Sequence, residues 1–136
     1  MTEVRKCTIR DLDFLVEKAY EFNSRHFDVP LCPAKLKSYL RGLIVSNYGV
    51  VLRTDTGAIT GVLVSDPVRD WNVLVETAWY TRGRDGLKLL RAFEKKGKRW
   101  GVDEIRMTTL EANQQAGRIL SRRGYKPIET SHRLLL

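Results

Sequence analysis

The sequence predicts an α+β or α/β layered domain built on a mixed sheet, and a single domain over residues 1–136. Its 136 residues are enough to bury a core without disulfides or metal ions. Hydrophobic residues make up 43% and charged residues 29%, ordinary values for a soluble globular protein. Along the chain the apolar positions change repeatedly between helical and extended periodicity, which predicts that helices and strands alternate within one layered unit.

The first third of the chain predicts one strand followed by two helices. The segment "VRKCTIR" (4–10) is typical of a strand, and the Asp11 carboxylate can accept from the first amides of the helix that follows. The second helix begins with Pro33, which suits a first helical turn. Apolar stripes at helical spacing comprise Leu12, Leu15, Val16, Ala19 and Tyr20 in the first helix, and Leu36, Tyr39, Leu40 and Leu43 in the second.

The remaining elements complete the order β-α-α-β-β-β-α-β-α-β. Residues 48–66 predict a hairpin, because two β-branched runs flank the turn "TDTG". Residues 71–81 predict a third central strand. The later elements are a helix over 86–100, a strand over 103–111, a helix over 112–124 that ends at Gly124, and a final strand or strand pair over 125–136.

Charge and cysteine content narrow the class of protein. The net charge of +8 indicates an anionic partner, which can be a nucleic acid, a phosphorylated cofactor or an acidic protein. Cys7 and Cys32 form no CxxC pair and have no histidine at a metal-ligand spacing, so we expect free thiols in a reducing cytoplasm and no metal site. No secretory signal precedes residue 13 and no apolar run approaches the ~20 residues of a membrane helix, so we expect no membrane partner.

The stretch "AWYTRGRDGLKLLRAFEKKGKRWG" (78–101) predicts an anion site. A strand, a short glycine turn and a helix present amides that have no intrahelical acceptor, at the positive end of the helix dipole. Gly83 and Gly86 leave room for a phosphate, and Arg82 and Arg84 add charged donors. The turn is neither a Walker A loop nor GxGxxG, and a plain connection with solvated arginines is the alternative.

Four segments together resemble the GCN5-related N-acetyltransferase (GNAT) superfamily, over nearly the whole chain. The segments are "VRKCTIRDLDFLVEKA", "GVVLRTDTGAITGVLVS", "ETAWYTRGRDGLKLLRAFE" and "IRMTTLEANQQAGRILSRRGYKPIE". In the last segment Asn113, Ala116, Gly124 and Tyr125 match the family's spacing. The details "RGRDGLKLLRAFE" and "RRGY" are most similar to small GNAT proteins encoded by bacteriophages.

The resemblance implies a mostly antiparallel central sheet flanked by about four helices, with acetyl-CoA as the cofactor. The cofactor would lie between the splayed strands 71–81 and 103–111, with its pantetheine arm along residues 78–81 and its pyrophosphate on the amides of 82–87. Lys88 and Arg118 would be further partners of its phosphates. The implied cofactor-binding residues are Trp79, Tyr80, Thr81, Arg82, Gly83, Arg84, Asp85, Gly86, Leu87 and Asn113.

Two departures from the family pattern affect this expectation. Aligned on Gly86, the loop carries Arg84 where the family has its first glycine and Thr81 where it has Arg or Gln. Many members carry a tyrosine seven residues after the asparagine, and this chain has Leu120 there. Loss of that general acid need not abolish acetyl transfer, because a thiol with a pKa near 8.5 is a tolerable leaving group.

Glu76 is the best candidate for the general base that deprotonates the amine. It lies in the otherwise apolar run "VLVETAWYT", and burial would raise its pKa toward the working range. The alternative is an outward strand residue paired with a neighbouring Lys or Arg. Weaker candidates are Glu111, which can instead cap a helix, and His26, which we expect in a loop; we expect His132 on a face of the sheet.

Three functions remain open at this level. The first is an acetyl-CoA-dependent N-acetyltransferase, whose amine acceptor can be a lysine side chain, an N-terminus, a polyamine, an antibiotic or a charged tRNA. The second is a GNAT-fold binding protein of phage origin with impaired catalysis, acting on a host or virion partner. The third is nucleic-acid binding through a basic stripe, which is otherwise a solvated helix face. The stripe comprises Lys88, Arg91, Lys95, Lys98 and Arg99.

Overall fold

The computed structural model describes residues 3–136 and contains a five-stranded mixed sheet with helices on both faces. The predicted α+β class, the mostly antiparallel sheet and the four helices are confirmed. In chain order the elements are β1 (Arg5–Lys6), α1 (Leu12–His26), α2 (Pro33–Val45), β2 (Gly49–Arg53), β3 (Gly57–Ser65), β4 (Asn72–Thr81), α3 (Gly86–Trp100), β5 (Glu104–Arg106) and α4 (Gln114–Arg122).

The strands lie in sequence order, β1-β2-β3-β4-β5. Each neighbouring pair is antiparallel except β4 and β5, which are parallel because α3 crosses over between them. The tight β2–β3 turn is held by the buried Thr54 hydroxyl, which accepts from the amides of Thr56 and Gly57 at 3.3 and 3.1 Å. The predicted central hairpin and third strand are confirmed.

The two faces of the sheet carry separate cores. On one face α1 and α2 pack through buried residues such as Leu15, Leu40 and Leu43. On the other face α3 packs Leu89 and the fully buried Phe93 against the strands. The sheet is therefore the middle of three layers, and any opening in it connects the α1–α2 side with the α3 side.

A bulge in β4 changes which way its side chains point. Gly61 of β3 is opposite Glu76 and Thr60 is opposite Ala78, so Thr77 is the extra residue. The hydroxyls of Thr60 and Thr77 lie 2.8 Å apart and hold this irregularity in place. Beyond the bulge Trp79 packs in the α3 core, whereas the hydroxyl of Tyr80 reaches Glu21 of α1.

The N-terminal strand is shorter than predicted, and Asp11 does not cap α1 through its side chain. Thr8 instead starts a turn of 3-10 helix, Ile9–Asp11, in which the Asp11 carboxylate accepts from the Thr8 amide at 2.8 Å. The buried carboxylate also pairs with Arg5 at 2.7 Å and Arg53 at 3.0 Å. These guanidinium groups, Arg5 first, hold the pKa of Asp11 well below its usual range. The Asp11 carboxylate, which the sequence predicts at the end of a helix, therefore links β1, β2 and the start of α1.

The predicted final strand over 125–136 is wrong. Residues 126–136 have no regular secondary structure, and the side chains of Leu134, Leu135 and Leu136 are exposed. Strand propensity produces a strand only where a neighbouring edge accepts its hydrogen bonds, and β5 offers an edge of only three residues. The predicted stop of the last helix is confirmed, because Gly124 follows α4 with a φ of 90°.

Among residues 3–136, no helix combines the length and apolar character needed to cross a membrane.

Candidate active site

A cleft opens between β4 and β5 because their pairing stops early. The parallel register covers Val73–Val75 against Glu104–Arg106 and ends there. β4 continues to Thr81 with its other edge on β3. Within the described part of the chain, residues 78–81 therefore have no strand partner on the β5 side, and their main-chain groups are available to a ligand.

Glu76 lies where the two strands part. Its carboxylate oxygen Oε1 accepts from the Thr108 amide at 2.9 Å, so a side chain takes the bond that continued strand pairing would have used. Glu76 as a whole residue is 7% exposed. Desolvation raises the pKa of Glu76 to about 7, although the hydrogen bond from Thr108 acts in the opposite direction. No ion pair involves Glu76 among the described residues, so the alternative of an outward residue paired with Lys or Arg does not hold.

The start of α3 has no side-chain cap, because Asp85 in the capping position bonds elsewhere. Asp85 precedes the helix but makes no side-chain cap. Its carboxylate accepts instead from the Thr56 hydroxyl at 2.6 Å, and this bond is the main reason why the pKa of Asp85 is lowered. The first-turn amides therefore keep the donor character expected of an uncapped helix end, with an ionised carboxylate beside them.

The loop before α3 uses part of its main chain internally. The Arg82 amide donates to the Thr56 carbonyl at 3.0 Å, and the Gly83 amide donates to the Thr81 hydroxyl at 3.1 Å. The expectation that all amides of 82–87 face a pyrophosphate is therefore wrong for these two. The donors left for an anion begin further along the loop, toward Gly86 and Leu87.

Gly86 and Trp79 form the inner wall of this helix end. The Trp79 indole N–H donates to the Gly86 carbonyl at 3.0 Å and fixes the loop against β4. A Cβ added at Gly86 would lie 3.6 Å from Thr81 and 3.8 Å from the Trp79 ring, which is ordinary contact. A small side chain could therefore be accommodated at this position without moving either neighbour.

The arginines of the loop have different environments. Arg82 forms an ion pair with Glu21 of α1, so its guanidinium is directed away from the start of α3. Glu21 also accepts from the Tyr80 hydroxyl at 3.1 Å and from the Lys18 ammonium at 3.3 Å. Arg84 is exposed. Of the two arginines predicted to bind phosphate, Arg84 alone has a guanidinium outside this network.

Asn113 and Glu111 lie at the start of α4. The Asn113 side chain accepts from the Ala116 amide at 3.2 Å and is the N-cap of α4, so its amide oxygen already has a structural role. Glu111 is exposed and precedes this cap, so the alternative of Glu111 as the capping residue is wrong.

The remaining predicted residues are spread over the molecule. His26 is the last residue of α1 rather than part of a loop, with its ring 4.8 Å from that of Phe22. His132 lies in the irregular C-terminal segment and not on a sheet face. Tyr125 donates to Glu94 at 2.9 Å and anchors the end of α4 on α3. Leu120, at the position of the family's tyrosine, is buried in the core.

The basic stripe lies on the outer side of α3. Its five members are exposed. Three of them, Arg91, Lys95 and Lys98, surround a shallow depression that also contains the ion pair between Glu94 and Arg123. Among residues 3–136, no aromatic side chain lines this depression. The solvated-face interpretation fits this arrangement better than a nucleic-acid platform, which would offer stacking surfaces.

Some residues around the cleft could not be found from sequence. Thr108 and Thr56 contact Glu76 and Asp85 across separations of 32 and 29 residues, and no local pattern marks them. Lys18 does leave a signal, because it occupies a helical spacing between Leu15 and Phe22 on the apolar stripe of α1.

The five-stranded sheet, its parallel β4–β5 pair and its four helices make up the fold of the GNAT acetyltransferases. The chain is similar to BH1408 of Bacillus halodurans, solved as a tetramutant, with a TM-score of 0.81 and 17% identity over 98% of this chain and 99% of that one. It is similar to a ribosomal-protein-alanine N-acetyltransferase of Brucella melitensis, with a TM-score of 0.76 and 10% identity over 99% of both chains. It is also similar to an aminoglycoside acetyltransferase from an uncultured soil metagenomic sample, with a TM-score of 0.72 and 13% identity over 99% and 95% of the two chains. Neither a protein-family model nor a curated protein sequence matches the chain.

Proposed function

We propose that this protein is an acetyl-CoA-dependent N-acetyltransferase that moves an acetyl group to a primary amine by direct attack in a ternary complex. The observation that carries the proposal is the opening of the sheet at Glu76, which leaves one edge of β4 unpaired beside an uncapped helix end. Acetyl-transfer chemistry at this place agrees with the fold of the neighbours, although identities of 10–17% establish the fold alone.

The residues present fit the main-chain part of acetyl-CoA binding. The unpaired edge at residues 78–81 suits the amide groups of the pantetheine arm, and the uncapped first turn of α3 suits a pyrophosphate. Fewer side chains contribute than the sequence predicted. Arg82 and Asn113 are held by other protein groups, so Arg84 is the loop side chain best placed to add charge.

In this proposal Glu76 accepts the proton of the attacking amine. With a pKa of about 7, its carboxylate is ionised in about half of the molecules at neutral pH and can act as a base without a metal ion. Acetyl-CoA supplies an activated thioester when bound. With acetyl-CoA held along residues 78–81, the amine nitrogen would bond to the acetyl carbon, and the carbon–sulfur bond would break with the thiolate as leaving group. A main-chain N–H of the unpaired edge of β4 would stabilise the negative charge that develops on the carbonyl oxygen.

The experiment is a calorimetric titration with acetyl-CoA of the natural protein and two glycine variants. Gly86→Glu places bulk and negative charge at the start of α3, and we expect it to abolish binding. Gly42→Glu is the matched control, since Gly42 lies in α2 with no atom within 4 Å of an added Cβ. Equal affinity of the natural protein and Gly86→Glu would contradict the assigned loop.

A binding protein that keeps the fold without turnover is the second candidate. It is favoured by one observation, the occupation of Arg82 and Asn113 by protein partners. Release of free thiol from acetyl-CoA in the presence of amines separates the two candidates, because a protein of this second kind would bind the cofactor and release none. The origin of the chain in a bacteriophage and its location in the cytoplasm stay predictions.

A further inference from the structure

A second opening lies on the opposite side of β4 from α3, between α1, α2 and the strands. Its volume is about 230 Å³, which is several times the space of one water molecule and close to that of a small organic molecule. Its walls are mostly apolar and aromatic, and include Phe22, Phe27, Leu36, Tyr39 and Tyr80. The space therefore suits the apolar part of a small organic ligand.

The cavity borders the part of β4 that follows Glu76, the reaction centre of the proposed function. Thr77 and Ala78 line it, and they are the two residues that follow Glu76 in β4. Because Thr77 is the residue added by the bulge, this part of β4 contributes to the cavity from the α1–α2 side while Glu76 lies at the cleft. A molecule held in the cavity is therefore next to the segment of β4 at which we place acetyl transfer.

One buried cation lies in this apolar wall. Lys18 lines the cavity, its side chain is only 8% exposed, and its ammonium contacts the Glu21 carboxylate at 3.3 and 3.4 Å. Both distances are at the long end for a charged hydrogen bond, and an ammonium has three donors. The Glu21 carboxylate is meanwhile shared with Arg82 and the Tyr80 hydroxyl. Lys18 therefore retains the capacity to bind a second anionic group.

The charge around the cavity opposes polycationic ligands. Three cations, Lys18, Arg82 and Arg25, lie on or beside the Tyr80–Glu21 wall, with the Arg25 guanidinium carbon 5.7 Å from the centre of the Tyr80 ring. Glu21 is the acid to which two of them are bonded. With Glu17 of α1 as a second acid near Arg82, the three cations still outnumber the two acids, and a polyamine or an aminoglycoside would add further positive charge.

We infer that this cavity receives the acetyl acceptor, and that the acceptor is an α-amino acid with an aromatic or branched apolar side chain whose carboxylate pairs with Lys18. This inference rests on the proposed function. An α-amino acid carries a primary amine, a carboxylate and an apolar side chain on one carbon. The amine would lie at the segment of β4 beside the reaction centre, the carboxylate at the buried Lys18 ammonium, and the side chain against the apolar walls. At the opening between β4 and β5, where the Glu76 carboxylate contacts the Thr108 amide, the amine nitrogen would bond to the acetyl carbon, its proton would pass to Glu76, and the carbon–sulfur bond would break with the thiolate as leaving group.

The test is a calorimetric titration with L-phenylalanine and L-phenylalaninamide, which differ in the carboxylate and keep the ring and the amine. We expect the natural protein to bind the acid about tenfold more tightly than the amide, as one hydrogen bond between charged groups predicts. Lys18→Met should remove this preference. Lys37→Met, an exposed lysine of α2, is the control and should keep it.

A second variant covers the case in which Lys18→Met fails to fold. Ala19 lines the same cavity, and Ala19→Leu should weaken the binding of both ligands by filling it. Binding of the acid and the amide with equal affinity, preference for spermidine, or binding of neither ligand would each overturn the inference. A parallel titration with acetyl-CoA separates the two ideas. Cofactor binding without amino-acid binding refutes the acceptor assignment alone, and amino-acid binding without cofactor binding refutes the transferase.

Discussion

Replacement of Glu76 by glutamine should change how the stability of this protein depends on pH. In the folded chain burial raises the pKa of Glu76 from its ordinary value of 4.5 to about 7. Between these two values the folded state keeps a proton that the unfolded state has lost, so the free energy of unfolding falls as pH rises from about 4.5 through 7. The two pKa values differ by about 2.5, and each pKa unit corresponds to about 1.4 kcal/mol. Burial of the Glu76 carboxylate therefore lowers the free energy of unfolding by about 3 kcal/mol above pH 7.

Glu76→Gln removes this titration and keeps an oxygen that can accept from the Thr108 amide. Relative to the natural protein, the variant should therefore gain about 3 kcal/mol of stability between about pH 4 and about pH 8. Urea unfolding followed by tryptophan fluorescence across this range measures the difference. Glu111→Gln is the control, since Glu111 is exposed. A difference that stays constant with pH would refute the reasoning, because it would mean that water or a cation solvates the carboxylate of Glu76.

Four further predictions concern activity, binding and stability. The rate of acetyl transfer at saturating substrate should rise with pH to a plateau above about 7, and Glu76→Gln should lower it by about a hundredfold or more, measured by thiol release. Asp85→Asn should tighten acetyl-CoA binding by about twofold to fivefold in calorimetry, because it removes an anionic charge beside the phosphates; weaker binding would contradict the placement of the pyrophosphate. Asp11→Asn should lower the free energy of unfolding in urea by about 3 kcal/mol, because Arg5 and Arg53 lose a shared buried carboxylate. Gly61→Ala should lower the free energy of unfolding by about 1–3 kcal/mol, since the added carbon would lie 2.5 Å from the Phe93 ring. Gly42→Ala meets no atom and should stabilise α2 by about 0.5–1 kcal/mol. Equal thermal midpoints for the two variants would exclude this difference.

The sequence predicted correctly those helix ends and turns whose geometry depends on a few neighbouring residues. Pro33 at the start of α2, Gly124 after α4 and the turn before Gly57 each fix backbone geometry within a few residues, and these boundaries are confirmed. The apolar stripes likewise predicted the buried faces of α1 and α2, because burial follows helical spacing whatever the tertiary partner.

Contacts between distant residues account for what the sequence did not predict. The side chain of Asp11 looks like a helix cap in isolation, but two guanidinium groups compete for it, one of them 42 residues away. The number of phosphate-binding donors in the loop was overestimated for the same reason, since Arg82 forms an ion pair with Glu21 of α1. The strand after α4 failed to form because strand propensity says nothing about whether an edge is available. Glu76 was found as a candidate since a single acid within an apolar run is visible without the fold, and its catalytic role stays a prediction.

The extra residue at Thr77 acts as a phase shift in β4. Leu74 and Trp79 both contribute to the α3 core although they are an odd number of positions apart, which an uninterrupted strand does not allow. Deleting Thr77 alone would bring Leu74 and Trp79 to a spacing of four, so strict alternation would keep the indole of Trp79 toward α3 and the phenol of Tyr80 toward α1, and only the hydroxyl contact with Thr60 would be lost. Inserting one further residue beside Thr77 would instead exchange the faces of the two rings, so related chains with an intact cleft should carry one extra residue or none at this position, and not two.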